Sequence, residues 1–392
     1  DFWYYNSPRS MSLKSCLVCS WLWLWFPPSL AMRGQFTSLD QSVVAPKQKH
    51  CGEVKRTSNG ELRLHCEKQL RRLRYIFDVP EPETILKENE VDLAEATEGT
   101  GKSGANMIFT KDKKYIIKTM STQDINSFSY IIKRYMYNMM ANSTYSELIR
   151  FYGVLEDKKG IFWMIGNNWI PVKFPILWDL KGSMVGRKNG LGSPVQKDQD
   201  WLDNHRGLVL TSSQREQVLK ALESDTSLLA RKKTIDYSLV LGYLEYDLRP
   251  CGHDQTCMTK LCHPSGACGE IAFSGGPHFG SIKDFYCDGD KPKEPSFGHG
   301  CSGVLTKDLK LYFSCFGLID FLKRFGTKTS GEYLVRGGFM REISAQPPQT
   351  YRERFLSFVS EDIFPATLSS TENVALSLTA EHCAAWGKFV GY

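Results

Sequence analysis

The sequence predicts an α+β protein, and three kinds of stretch carry that prediction. MIFTKDKKYIIKTM, from Met107 to Met120, is two short β-rich runs around a charged Lys-Asp-Lys-Lys turn, which is a hairpin signature. Asp124 to Met140 and Gln214 to Arg231 repeat apolar residues at helical spacing. IDYSLVLGYLEY, from Ile235 to Tyr246, is an almost unbroken apolar run of strand-forming residues.

In chain order, residues 1–60 stay unassigned. They include an apolar run, Cys16 to Phe26, that follows Arg9 and Lys14 and is too short to span a bilayer as a helix. It has the look of a signal-peptide core, but a translated upstream region or mispredicted exon is the favoured expectation. Leu62 to Phe77, LRLHCEKQLRRLRYIF, predicts an amphipathic helix stopped by Pro80 and Pro82. The hairpin and the helix from Asp124 follow, and then RFYGVL and GIFWMIG predict two more strands. These elements make a small α+β region. Beyond it come the helix from Gln214, the buried strand from Ile235 and a last helix from Tyr351 to Ile363. Residues 247–308, rich in Gly, Pro and Cys and without periodicity, read as a flexible insertion.

Composition narrows the class without choosing a partner. The 392 residues are 42% apolar and 23% charged, as in an ordinary globular chain, with a net charge of +6 that suits an anionic partner. Twelve cysteines in a chain with this much core do not suggest a disulfide scaffold, and a reducing compartment is expected. Cys251, His253, Cys257, Cys262, His263 and Cys268 invite a zinc reading, but their gaps are long and irregular, so a disordered loop is expected instead.

Ala96-Thr-Glu-Gly-Thr-Gly101-Lys102-Ser103 fits a phosphate-cradling P-loop pattern, yet an acidic stretch precedes it and a hairpin-like stretch follows. The other cradle is a glycine-containing turn between antiparallel strands, with a lysine on a following strand. Gly101, Ser103 and Gly104 supply such a turn, and Lys118 lies one hairpin later. On pattern alone Lys118 reads more readily as a solvated lysine than as a ligand. Phosphoryl transfer also needs carboxylates, and Asp236 and Asp320 stand in strongly apolar surroundings where an ionised carboxylate needs a cation. Capping or turn roles serve either aspartate equally well.

Several motifs in series then resemble one family. GTGKSGANMIFTKDKKYIIKTMS is similar to the glycine loop and lysine strand of phosphatidylinositol phosphate kinases. RFYGVL, FWMIGNNWIP, WDLKGSMVGR, KDQDWL, IDYSLVLG, CFGLIDFL and ISAQPPQTYRERF follow in order, and the family's DLKGS, MDYSLL and YFGIID segments have counterparts among them. The resemblance covers about Leu62 to Phe364. It implies a two-lobed α+β lipid-kinase fold, distantly related to protein kinases, with an antiparallel sheet in each lobe and a flat membrane-facing surface. The implied kinase domain spans 61–366, with a small lobe at about 61–170, a large lobe at about 171–366 interrupted by 247–308, and a tail at 367–392.

The resemblance also implies roles. Lys118 and Lys181 would contact ATP phosphates together with Gly101, Ser103 and Gly104; Asp236 would orient the attacking hydroxyl; Asp320 would hold magnesium. Ile235, Trp178 and Met184 replace the family's Met, Tyr and Thr at their positions. In the specificity loop, roughly Gly326 to Ser344, Thr329 and Ser330 stand where the family has a Lys-Lys pair, with Lys328 adjacent, and Glu332 falls where 4-phosphate 5-kinases carry Glu. Lys323, Arg324, Arg336 and Arg341 would add attraction to an anionic bilayer. The expected cofactors are ATP and magnesium. The expected partner is a phosphoinositide on the cytosolic face of the plasma membrane, not a nucleic acid, and the resemblance leaves room for a homodimer. The expected reaction converts phosphatidylinositol 4-phosphate to the 4,5-bisphosphate, with a 5-phosphate 4-kinase or a weakly active phosphoinositide-binding scaffold as alternatives.

Overall fold

A computed structural model describes residues 51, 54–57, 60–93, 106–142, 146–170, 174–190, 192–204, 207–247, 301–305, 310–326 and 345–368, and the backbone of four short strands within 260–292. The N-terminal unit, residues 1–45, lies wholly outside the described residues, and everything below belongs to the second unit, 46–392.

The first sheet is six-stranded and antiparallel: β1 (Lys55–Arg56), β2 (Arg63–Leu64), β3 (Met107–Phe109), β4 (Tyr115–Met120), β5 (Phe151–Glu156) and β6 (Phe162–Asn167), in the order β1-β2-β5-β6-β4-β3. The predicted hairpin is β3–β4. Its turn is closed by Thr110, whose hydroxyl accepts from Tyr115 N at 3.0 Å and donates to Asp112 Oδ1 at 2.7 Å, with Lys113 in the left-handed region at φ 57°. The predicted helix before it shortens to α1 (Glu67–Ile76), because Arg63 and Leu64 pair with β5 instead. Leu70 and Leu73 are fully buried on one face of α1, and Arg71 and Arg72 are exposed on the other. Pro82, expected as a stop, opens a second helix, α2 (Pro82–Glu88), where its missing N–H costs nothing.

Helix α3 (Thr122–Ala141) starts two residues earlier than its apolar period suggested. Ser121 and Asp124 form a reciprocal capping box there. Its buried stripe includes Ile125, Phe128, Ile132, Tyr135 and Met139, and it enters the main core with α1, α5 and both sheets.

The second sheet is five-stranded, β14-β15-β9-β7-β8, from β7 (Leu177–Leu180), β8 (Val195–Lys197), β9 (Ser238–Asp247), β14 (Cys301–Leu305) and β15 (Lys310–Ile319). Its pairs are antiparallel except β7 with β8, which run parallel. Strands β10 (Lys260–Cys262), β11 (Cys268–Glu270), β12 (Cys287–Asp288) and β13 (Lys291–Pro292) form two small hairpins inside the stretch read as structureless. Strand β14 also begins inside that stretch, held by β15. Helices α4 (Asp198–Asn204), α5 (Ser212–Arg231) and α6 (Pro348–Phe358) flank the sheet. A single π-helical turn, Val359–Ile363, continues α6 and completes the predicted last helix.

The sheets are coupled where β15 ends. Leu318 N donates to Glu147 O at 2.7 Å, and Ile149 N donates to Leu318 O at 3.0 Å, tying β15 to the segment that enters β5. Asp225 of α5 braces the same segment by accepting from Glu147 N at 2.7 Å and Ser146 Oγ at 2.9 Å.

Two cysteine pairs are joined, in a chain for which a reducing compartment is expected. Cys51 joins Cys66, and Cys301 joins Cys315 across β14–β15, where direct register pairing brings their Cα atoms to 4.0 Å. The side chains offered for a zinc site lie outside the described residues. Among the described residues no group of three or more metal-ligating side chains occurs, and no helix is long and apolar enough to cross a membrane.

Candidate active site

Strand register brings the chemistry-bearing residues to one edge of the second sheet. In the antiparallel pair β9–β15, Ser238 at the start of β9 faces Ile319 at the end of β15. The residue just past β15, Asp320, therefore lies beside the turn that precedes β9, which holds Asp236. In the antiparallel pair β7–β9, Leu180 faces Leu239, so Lys181, just past β7, reaches the same edge. Three separated sequence segments converge because each ends or begins a strand there.

Both aspartates adopt the left-handed backbone region, at φ 65° for Asp236 and φ 57° for Asp320. A non-glycine residue there costs of order 1–3 kcal/mol and persists only when its surroundings hold it. At Asp236 the hold is visible. Ile235 N donates to Lys323 O at 3.0 Å, Phe325 N donates to Lys233 O at 2.7 Å, and Thr234 bridges to Arg324, so pairing continues past the ends of β9 and β15. Below, the buried Tyr237 ring packs edge-on against Tyr351 and Phe355 of α6, and the Tyr351 hydroxyl donates to Tyr237 O.

Lys181 Nζ donates to Asp236 Oδ1 at 2.7 Å and to Asp236 O at 2.9 Å. Lys323 Nζ donates to the other carboxylate oxygen, Oδ2, at 2.7 Å. Burial pushes the Asp236 carboxyl up, but the two ammonium groups outweigh it and hold it below the usual carboxylate value. Asp236 is therefore ionised at neutral pH.

Lys118 lies on β4, opposite Met107 of β3 and Met164 of β6. Its side chain is only partly exposed and Nζ stands 3.2 Å from Asp320 Oδ1. The pattern-level expectation of a solvated lysine thus gives way to a lysine aimed from the first sheet at the edge of the second. Asp320 is the more open partner, at 53% exposure, so its carboxylate is accessible to a further cation.

The Lys181 loop is built around one buried acid, Asp198, at the start of α4. Its Oδ1 accepts from the backbone N–H groups of Lys181 at 2.8 Å, Gly182 at 2.7 Å and Ser183 at 3.3 Å, while Arg187 Nε donates to Oδ2 at 2.6 Å. Arg187 also pairs with Asp179, linking both flanks of the loop. Gly182, at φ 63°, leaves little room for a side chain, since a Cβ would meet Phe358 Cβ at 3.1 Å and Arg354 O at 3.3 Å.

The structure thus brings together Lys118, Lys181, Asp236 and Asp320 of the predicted site. Gly101, Ser103, Gly104, Lys328 and Glu332 lie outside the described residues. Sequence reasoning missed Lys323, expected at a membrane face, and Asp198. The acid-rich start of KDQDWL is a signal for Asp198, the first residue of α4. Lys323 carried none, because its place depends on the register of two distant strands.

The donor set fits a nucleotide with magnesium. Magnesium is commonly bound by one or two carboxylates together with substrate phosphates and waters, and Asp320 offers an open carboxylate beside Lys118, with Lys181 paired to Asp236 at the same sheet edge. The chain also resembles known proteins. Residues 89–362, more than half of the chain, match the family model described as Phosphatidylinositol-4-phosphate 5-Kinase. The chain is 26% identical over 339 residues to a "Probable phosphatidylinositol phosphate kinase" of Dictyostelium discoideum, covering 76% of this chain and 47% of that protein. It is 24% identical over 286 residues to human phosphatidylinositol 5-phosphate 4-kinase type-2 beta, covering 67% of this chain and 68% of the relative. A phosphatidylinositol 4-phosphate 5-kinase of Plasmodium falciparum is 28% identical over 287 residues, covering 66% of this chain and 15% of that protein. The chain thus spans about half the length of the Dictyostelium relative and a small part of the Plasmodium one.

Proposed function

The chain belongs to the phosphatidylinositol-4-phosphate 5-kinase family, a family of ATP-dependent lipid kinases, and from that premise we propose that it transfers the γ-phosphate of ATP to a hydroxyl of a monophosphorylated phosphatidylinositol. The observation that carries this reading is the pairing of each aspartate with a lysine at one sheet edge, Lys118 with Asp320 and Lys181 with Asp236.

In this reading Lys118 and Lys181 bind and orient the nucleotide phosphates, and Asp320 ligates magnesium. Magnesium, when bound, supplies charge neutralisation on those phosphates. Asp236, ionised at neutral pH, accepts a hydrogen bond from the attacking inositol hydroxyl and takes its proton as transfer proceeds. Lys181 spans both tasks, because it touches Asp236 while standing among the phosphate-binding groups. The substrate is a membrane lipid, so the open edge bearing Asp320 works against a phosphoinositide-containing surface.

The finer reading is conversion of phosphatidylinositol 4-phosphate to the 4,5-bisphosphate, supported by Glu332 at the position where the resembling 4-phosphate 5-kinases carry Glu. A second reading, a 5-phosphate 4-kinase, draws support from the similarity to the human relative of that name. Product analysis on vesicles carrying each monophosphate side by side tests both. The finer reading requires faster turnover of the 4-phosphate and a preference eroded by Glu332→Ala. Faster turnover of the 5-phosphate selects the second reading, and no transfer to either lipid overturns the kinase assignment.

A further inference from the structure

We propose that Lys323 is the substrate-phosphate residue of this site, binding the phosphomonoester carried on the inositol carbon next to the hydroxyl held by Asp236. The inference rests on the lipid-kinase reading and adds a residue and a ligand group to it.

Four observations converge. First, Asp236 does not need Lys323 for its orientation, because Lys181 already holds both its carboxylate and its backbone carbonyl. Second, the two lysines differ in access: the Lys181 side chain is 15% exposed and that of Lys323 is 40% exposed. Lys323 therefore lies on the more open side of the carboxylate, the side a substrate would reach first. Third, the Lys323 backbone is fixed by its carbonyl bond from Ile235 N and by the Phe325 N–H bond to Lys233 O, so its ammonium is presented from a rigid base. Fourth, the ammonium occupies Oδ2, an oxygen that an attacking hydroxyl would use. When the hydroxyl arrives, Lys323 must move aside and its charge needs another anion.

A monophosphorylated inositol provides that anion on the adjacent ring carbon. Hydroxyl and phosphate are neighbours whether the phosphate is at position 4 and the hydroxyl at 5, or the reverse. Exchange of Lys323 from Asp236 to this phosphate would free the carboxylate at the moment the correct lipid binds. Lys323 would then separate monophosphorylated from unphosphorylated phosphatidylinositol without choosing between the two monophosphates. That choice would stay with residues elsewhere.

The test uses the full chain with Lys323→Gln and Lys323→Arg. Calorimetric titration with inositol 1,4-bisphosphate is compared with titration by inositol 1-phosphate and by inorganic phosphate. Kinetics on vesicles of either monophosphate or of unphosphorylated phosphatidylinositol run in parallel. Loss of one charge-assisted contact predicts about 10- to 100-fold weaker binding of inositol 1,4-bisphosphate by the Gln variant. It also predicts a KM for both monophosphate lipids raised by about the same factor, with the KM for ATP and the affinity for inositol 1-phosphate unchanged. The Arg variant, which keeps charge and donors, should recover most of the loss. The proposal is overturned if bisphosphate affinity is unchanged in the Gln variant, if wild type does not distinguish the bisphosphate from inositol 1-phosphate or inorganic phosphate, or if only kcat falls. The last outcome would make Lys323 a positioning residue for Asp236. A wild-type chain that binds as expected but transfers no phosphate would sink the kinase reading and leave this one standing.

Discussion

Lys118 Nζ and Asp320 Oδ1 stand 3.2 Å apart across 202 residues of sequence, and this pair spans the two sheets at the candidate site. Both side chains reach solvent, Lys118 partly at 33% exposure and Asp320 more fully at 53%. An exposed ion pair of this kind contributes about 0–1 kcal/mol to folding. Its place therefore points to ligand binding rather than to stability.

Lys118→Met and Asp320→Asn should accordingly cut transfer steeply while leaving the fold intact. Loss of one preorganised electrostatic contact predicts a fall of about 100- to 1,000-fold in kcat. Thermal melting should stay close to wild type in both variants. Turnover at the wild-type rate in either one would remove that residue from the site.

Asp198 behaves in the opposite way, because it is wholly buried and serves three amides and a guanidinium. Asp198→Ala leaves three loop amides without their acceptor and Arg187 with Asp179 as its remaining carboxylate partner, a defect that costs about 1–3 kcal/mol for each buried group left unpaired. Urea unfolding should show the midpoint falling accordingly. An unchanged midpoint would mean that the Lys181 loop is held by something else.

Gly182→Ala is a gentler probe of the same loop. The left-handed backbone at φ 63° and the tight approach of Phe358 and Arg354 predict a loss of about 1–3 kcal/mol. Displacement of Lys181 by about 1 Å would add a loss of roughly 100-fold in rate. Denaturation and steady-state assays together separate the two effects, and an alanine variant with normal rate would show that the loop tolerates the shift.

Much of this was legible in the sequence, and the parts that were not share a cause. The β3–β4 hairpin announced itself because Thr110 to Lys113 is local turn chemistry, and α3 and α5 because their buried stripes repeat within one element. The motif segments supplied Lys118, Lys181, Asp236 and Asp320. Arg63 and Leu64 left the predicted helix only because β5 was available to pair with them. Lys323 was assigned to a membrane face because nothing local distinguishes a lysine that will meet Asp236 from one that will meet solvent. Pairing between distant segments decided both, and single-sequence periodicity does not carry that information.

Glu147 predicts a pH effect away from the site. Burial, reinforced by nearby Asp225 and opposed by Arg150, pushes its carboxyl up to about 8 from an ordinary 4.5. Between those values the folded chain holds a proton that the unfolded chain has released, so stability falls as pH rises. Asp225, raised to about 6, adds a slope of the same sign at the lower end of that window. Glu147→Gln removes the larger contribution. Melting temperature should therefore decline less steeply from pH 5 to pH 8 in the variant than in wild type, with the gap widening toward pH 8. Parallel curves would show that Glu147 is ionised in the native protein.

The register of β9 and β15 has one more consequence. Asp247 faces Lys310 at the end of the pair remote from Asp236 and Asp320, about 30 Å away for strands of this length. A chain cut between residues 248 and 300 would leave Lys118, Lys181 and Asp236 on one fragment and Asp320 and Lys323 on the other. Neither piece alone would own a complete set of charges, and zipping one strand against the other would restore it. On the lipid-kinase reading the chain is thereby suited to fragment complementation, with phosphate transfer as the readout of whether two tethered proteins have met.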